Sequence, residues 1–179
     1  MITAGLVNDI TFTQITTKTK SAVLGQFLFL ALALIMPIIT HRLGLNYLVA
    51  QPMHWMILFA GLTYGPFSGM LLGASIPLVS FLLNGMPAPA MLLLMIPELA
   101  VYGLVTGLLK QKLTAFGSLA AALIAGKLVF LLLMLIFGSL DVTVIEYARL
   151  TWVPGLFAVL LQITLLPVLS GLYINWIKK

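Results

Sequence analysis

No cysteine occurs in this 179-residue sequence, and it holds only two histidines and four acidic residues. The first absence excludes a disulfide framework, thiolate metal ligation and a cysteine nucleophile. His41 and His54 lie far apart, in a polar turn and at a helix start, and do not make a catalytic metal cluster. Chemistry by paired carboxylates lacks its second member, because Glu98 is the one acid inside an apolar stretch. There is neither a Walker loop nor a nucleophile elbow. The reading is therefore not an enzyme, with no metal and no cofactor in this chain. It cannot hydrolyse ATP itself, so uphill transport would need a partner or an ion gradient.

Charge is scarce as well: 7% of residues are charged and 62% hydrophobic, with a mean hydropathy of +1.19. A soluble domain of this length does not carry that balance. The nine Lys and Arg, net +5, are spread between apolar segments, where they set topology and do not build a nucleic-acid surface. What the sequence has in abundance is apolar runs, and at about 20 residues per membrane span its length accommodates roughly six.

Six segments follow from the punctuation. They run from about Ser21 to Thr40, from Pro52 to "TYGP", from Gly65 to Leu83, from Ala90 to Leu109, from Gly117 to Phe137 and from Trp152 to Ile177. The stretches "HRLGLN", "NGMPAPA", "KQK" and "GSLDVTVIEYARLTWVPG" connect them, the last being the longest polar connection. Fold class is therefore all-α, an integral membrane bundle of six transmembrane helices. Residues 1–20, polar and without the order of a signal peptide, read as a cytoplasmic N-terminal leader, and 21–179 as the transmembrane domain. With both termini cytoplasmic, Lys18, Lys20, Lys110, Lys112, Lys178 and Lys179 face inward and only Arg42 and Arg149 outward.

Stripes of small residues predict close helix contacts: Gly65, Gly69 and Gly73 in segment three, Gly103 and Gly107 in segment four, Ser118, Ala122 and Gly126 in segment five. Either contacts within this chain or docking onto another membrane subunit would use them.

Ionisable groups in hydrocarbon are expensive and face a bundle interior or a cavity. Counting inward at about 1.5 Å per residue puts Glu98 roughly 12 Å deep and Lys127 and Gln162 roughly 15 to 18 Å deep, so they can meet in one layer. Met91, Met95, Glu98 and Tyr102 share one face of segment four, with Gly103 and Gly107 nearly opposite. Gly155 and Ala158 share the face of Gln162 and leave room above its amide. Either Glu98 and Lys127 form a structural ion pair or they line a ligand. Gln162 is equally suited to interhelical hydrogen bonding, and Met91 and Met95 to plain packing or to a flat ligand. His54 and Trp55 read as residues of the outer interface, with His54 also counted among the candidate substrate-binding residues, and Asn84 reads as a loop hydrogen bonder or a residue facing an outer cavity.

The run "PMHWMILFAGLTYGPFSGMLLGASIPLVSFLLNGMP", Pro52 to Pro87, and the helix "MLLLMIPELAVYGLVTGLL", Met91 to Leu109, carry a family resemblance. The first resembles the Pro, His, Gly-Pro, Gly, Gly, Pro and Gly-Met-Pro pattern of substrate-binding S components of energy-coupling factor (ECF) transporters. The second resembles their Glu-Leu-Ala, Tyr-Gly helix. The resemblance implies a cell-membrane subunit of a prokaryotic importer for vitamins or related micronutrients. It also implies partners, a transmembrane coupling subunit and two ATP-binding subunits that use the ATP, and toppling in the membrane to release substrate. The pocket would lie in the outer half, under the loop Leu43 to Gln51, with Glu98, Tyr102, Lys127 and Gln162 in its lining. Many members carry Ala-x-x-x-Ala in the first helix as the coupling contact. Segment one offers Ser21-x-x-x-Gly25, with Ala31 and Ala33 on other faces. A stand-alone proton-coupled carrier or small channel is the alternative, with no convincing inverted repeat to favour it. The ligand itself, whether pantothenate, pyridoxine, folate or a bulkier ring system, stays open.

Overall fold

The computed structural model describes residues 20–44, 51–137 and 143–177, which form six α-helices. These are α1 Lys20–Arg42, α2 Pro52–Tyr64, α3 Pro66–Asn84, α4 Pro89–Lys110, α5 Ala115–Phe137 and α6 Val144–Ile177. The leader up to residue 19, most of the loop after α1, Asp141 and the last two lysines lie outside the described residues.

Local chemistry sets the helix ends. Pro52, Pro66 and Pro89 each occupy the first turn of their helix, where a fixed φ is already helical and a missing N–H costs no ladder bond. Gly65 alone joins α2 to α3, at φ 94°, a conformation that suits a residue without a Cβ. Gly85 ends α3 in the left-handed region and donates its N–H to the Phe81 carbonyl at 2.8 Å.

α6 departs from expectation, because it is 34 residues long and starts at Val144 instead of near Trp152. Part of the polar connection is helix. Thr143 and Glu146 form a reciprocal cap: the Glu146 N–H donates to Thr143 Oγ1 at 3.2 Å, and the Thr143 N–H donates to Glu146 Oε2 at 3.0 Å. The hydrogen bonds from Thr143 hold the exposed Glu146 carboxyl below its ordinary value.

Four stretches are long and apolar enough to cross a membrane: α3, α4, α5 and the Trp152–Ile177 part of α6. Val23–Pro37 is a shorter apolar stretch, and α2 has only 13 residues. Large apolar side chains such as Leu24, Phe27, Leu135 and Ile145 are exposed, as on a surface whose solvent is lipid.

α4 is the central helix, packed against α2, α3 and α5, while α2 also carries α1 and touches α6. The small-residue stripes serve contacts within the chain. α3 and α4 run antiparallel, with Gly73 on Leu99, Gly69 on Gly103, and Pro66 on Gly107. A Cβ on Gly69 would sit 2.6 Å from the Gly103 carbonyl oxygen, and one on Gly61 of α2 would sit 2.7 Å from that same oxygen. Three backbones therefore converge at Gly103, and only glycine permits it.

α2 runs parallel to α4, since His54 meets Tyr102 and Gly61 meets Thr106. Its first turn thus lies alongside the middle of α4, inside the bundle. This corrects the interfacial expectation for His54 and Trp55: the His54 ring nitrogens are buried, and Trp55 packs on the main core. Gly25 of α1 also turns inward, onto the hydroxyls of Tyr64 and Tyr173, which are hydrogen-bonded to each other at 2.5 Å. Phe29 and Phe59 complete that aromatic cluster. Of the small residues of α1, Ala33 is buried and Ala31 is exposed.

Candidate functional site

α4 and α5 meet where Gly126 makes room for the Tyr102 ring. One residue later on α5, Lys127 reaches Glu98 of α4, with Nζ 2.6 Å from Oε1. The Tyr102 hydroxyl, one helical turn from Glu98, donates to the same oxygen at 2.7 Å. Two donors thus converge on a carboxylate that is only 2% exposed. Charge-assisted bonds of this kind offset the large cost of taking a carboxylate out of water. Lys127 is less enclosed, with its side chain 24% exposed, so the cluster is buried at the acid and more open at the base.

Several buried polar atoms have no hydrogen-bond partner among the described residues. The His54 ring lies 5.2 Å from the Tyr102 ring, centroid to centroid, and neither of its nitrogens has a hydrogen-bond partner. Gln162 is fully buried on the same face as Gly155 and Ala158, and both its amide oxygen and nitrogen lack a partner. Thr106 Oγ1 is also buried and unpaired. No hydrogen bond from the described residues offsets the desolvation of these groups, and buried polar atoms in folded proteins are ordinarily paired.

An apolar cluster adjoins the ion pair. Leu94, Phe130, Met134 and Tyr147 form it, with Met91 and Met95 packed on it. Phe130 and Tyr147 are stacked, with centroids 4.8 Å apart and planes 14° from parallel. Lys127 Nζ lies 5.6 Å from the Phe130 centroid, which ties this aromatic pair to the polar cluster.

Of the positions singled out in the sequence, Glu98, Tyr102 and Lys127 come together by hydrogen bonds, and His54 joins them through its ring contact. Met91 and Met95 lie in the adjoining cluster. Gln162 is buried but makes no hydrogen bond to the Glu98–Lys127 pair. Asn84 is the last residue of α3 and exposed, outside the cluster. Tyr147 is the residue that sequence reasoning missed, because its segment reads as a loop; the signal for it was the Thr143-x-x-Glu146 cap. No group of three or more potential metal ligands occurs among the described residues.

The arrangement pairs an acid with a base, with the His54 ring against Tyr102 beside them. Compared with known proteins, the chain matches neither a curated protein nor a solved structure. The family model described as ECF transporter, substrate-specific component, matches residues 23–176, from the start of α1 to the end of α6. Since that match covers most of the chain and all six helices, this protein belongs to the ECF transporter substrate-specific component family and is a multi-pass membrane protein.

Proposed function

We propose that the chain is the substrate-binding subunit of an ATP-driven ECF-type importer, capturing a vitamin or related micronutrient on the outer side. It delivers that ligand inward together with a transmembrane coupling subunit and two ATPases. Family membership supports the partnership. The observation that carries the binding site is the Glu98, Tyr102 and Lys127 cluster beside the unpartnered His54 nitrogens. Among the described residues those nitrogens have no hydrogen-bond partner, and a bound ligand would supply one. In this reading Gln162 and the methionines Met91 and Met95 add lining, and α2, whose first turn lies at the level of the cluster, brings His54 into it.

Topology follows the same reading. All six helices cross or enter the membrane, both termini are cytoplasmic, and Lys110 and Lys112 at the α4–α5 turn mark the inner face. The burial of Gly25 supports placing the coupling contact on the exposed residues of α1, such as Phe27 and Ala31, and not on Ser21-x-x-x-Gly25.

The test is affinity capture of the tagged chain from its native membrane, with mass spectrometry of both proteins and small molecules. Recovery of an integral coupling subunit, two ATPases and a retained micronutrient is the expected result. A chain recovered alone that drives proton-dependent uptake in ATP-free vesicles would establish the secondary-carrier alternative instead.

A further inference from the structure

We infer that the N-terminal part of α6 carries a binding site for an anionic phospholipid, in which the Arg149 guanidinium holds the lipid phosphate and Trp152, Val153 and Leu156 lie along its glycerol and acyl carbons. This surface is on the opposite side of α6 from Tyr147 and is separate from the Glu98–Lys127 cluster.

Depth is the first support. α6 has 34 residues, and at about 1.5 Å per residue its length of roughly 51 Å exceeds the 40–45 Å of a whole bilayer, so one end must emerge. Two tryptophans show which. Trp152 opens the membrane-spanning part and Trp176 stands at its far end; both are exposed, and tryptophan gathers at the two membrane–water interfaces. Their separation, roughly 36 Å along the helix, falls between the hydrocarbon thickness of about 30 Å and that of the bilayer with its headgroups. Arg149, one turn ahead of Trp152, then stands about 4.5 Å further out, at the level of the lipid phosphates. In the proposed topology this is the outer leaflet.

Face and charge are the second support. Arg149, Trp152, Val153 and Leu156 fall at i, i+3, i+4 and i+7, and all four are exposed, so the guanidinium continues the lipid-facing stripe of α6. Tyr147, on the opposite face, is buried and stacked on Phe130, which keeps that stripe turned outward. Arg149 has no hydrogen bond or ion pair among the described residues, and Glu146, three residues before it, takes two hydrogen bonds from Thr143 instead. Arginine stays charged at any physiological pH, and its planar fork matches two phosphate oxygens at once. In a zwitterionic lipid the headgroup ammonium already neutralises the phosphate. Phosphatidylglycerol keeps a net negative charge, which a single unpaired guanidinium balances.

Full-length protein in nanodiscs of equal phosphatidylglycerol and phosphatidylcholine, released for native mass spectrometry, should retain phosphatidylglycerol at least threefold over phosphatidylcholine. Arg149→Gln should lower the ratio of phosphatidylglycerol-bound to lipid-free protein threefold or more, and Arg149→Lys, which keeps the charge, by less. In phosphatidylcholine alone all three proteins should melt together, whereas added phosphatidylglycerol should raise the melting temperature of the parent and not that of Arg149→Gln. Equal retention of the two lipids, or retention unmoved by Arg149→Gln, overturns the inference. Photo-crosslinking in the native membrane, with p-benzoylphenylalanine in place of Val153, identifies the occupant. A phospholipid adduct richer in anionic headgroups than the bulk membrane is expected; a protein adduct, from a second copy or another chain, overturns the inference. Neither result touches the substrate site, whose own test is Glu98→Gln.

Discussion

Replacing Gly69 by Ala tests the packing that positions the site. The added Cβ would lie 2.6 Å from the Gly103 carbonyl oxygen and 2.8 Å from its carbonyl carbon and Cα. Attractive contact between such atoms needs about 3.5 Å, so α3 and α4 must part by roughly 1 Å, and neither backbone can swing aside as a side chain does. Overpacking of this kind costs about 1–3 kcal/mol, against which Ala regains up to about 1 kcal/mol of helix propensity. The net is a destabilisation on the order of 1–2 kcal/mol, or about 5–30-fold in the ratio of folded to unfolded protein. Gly117→Ala is the control, since its nearest neighbour, Thr114 Oγ1, is 3.4 Å away. That change should be neutral or stabilising by up to about 1 kcal/mol. Denaturant unfolding in one detergent, followed by circular dichroism, measures both. A Gly69→Ala protein as stable as Gly117→Ala would refute the close α3–α4 approach and the placement of α4 that depends on it.

Three further expectations can be checked directly. Lys127→Met leaves Glu98 without its cation and should cost about 2–3 kcal/mol in the same unfolding assay, below the figure for fully buried pairs because Lys127 is partly exposed. The double change Glu98→Gln with Lys127→Met should recover most of that stability without recovering binding; recovered binding would make the pair structural. Gly25→Ala pushes on the Tyr64–Tyr173 hydroxyl bond and should cost about 1 kcal/mol, an effect that Tyr64→Phe should largely remove in a double-mutant cycle. At the start of α6, Glu146 has a depressed folded value, so its support of the cap is complete above the ordinary carboxylate range and disappears as pH falls through the depressed value. Hydrogen-exchange protection in the first turn of α6, taken relative to the intrinsic rate at each pH, should therefore fall in acid, and Thr143→Ala should raise the Glu146 titration seen by carboxyl NMR; an unmoved titration would refute the cap.

Much of this was legible in residue types alone. Prolines 52, 66 and 89 mark helix starts because their ring penalises every position but the first turn. The glycine stripes of α3 and α4 announced a contact because small residues govern helix association in lipid, and depth counting brought Glu98 and Lys127 to one level. Two features were hidden for physical reasons. A 13-residue α2 that starts beside the middle of α4 is a tertiary fact, so His54 read as interfacial when its ring packs on Tyr102. The segment around Tyr147 is polar on average, and polarity suggested a loop, whereas the Thr143–Glu146 cap and stacking on Phe130 make it helix. Gln162 shows the limit of depth arguments, for it is as buried as expected yet bonded to neither charge.

The central claim is that Glu98 binds the transported molecule, and the most direct measurement compares Glu98→Gln with the parent protein by calorimetry, using the small molecule that the parent retains. Loss of a hydrogen bond to a charged group, worth about 1.5–3 kcal/mol, predicts a fall in affinity of about 10- to 150-fold in a protein that still folds and extracts normally. Unchanged affinity would contradict the account and leave Glu98 and Lys127 as a structural pair.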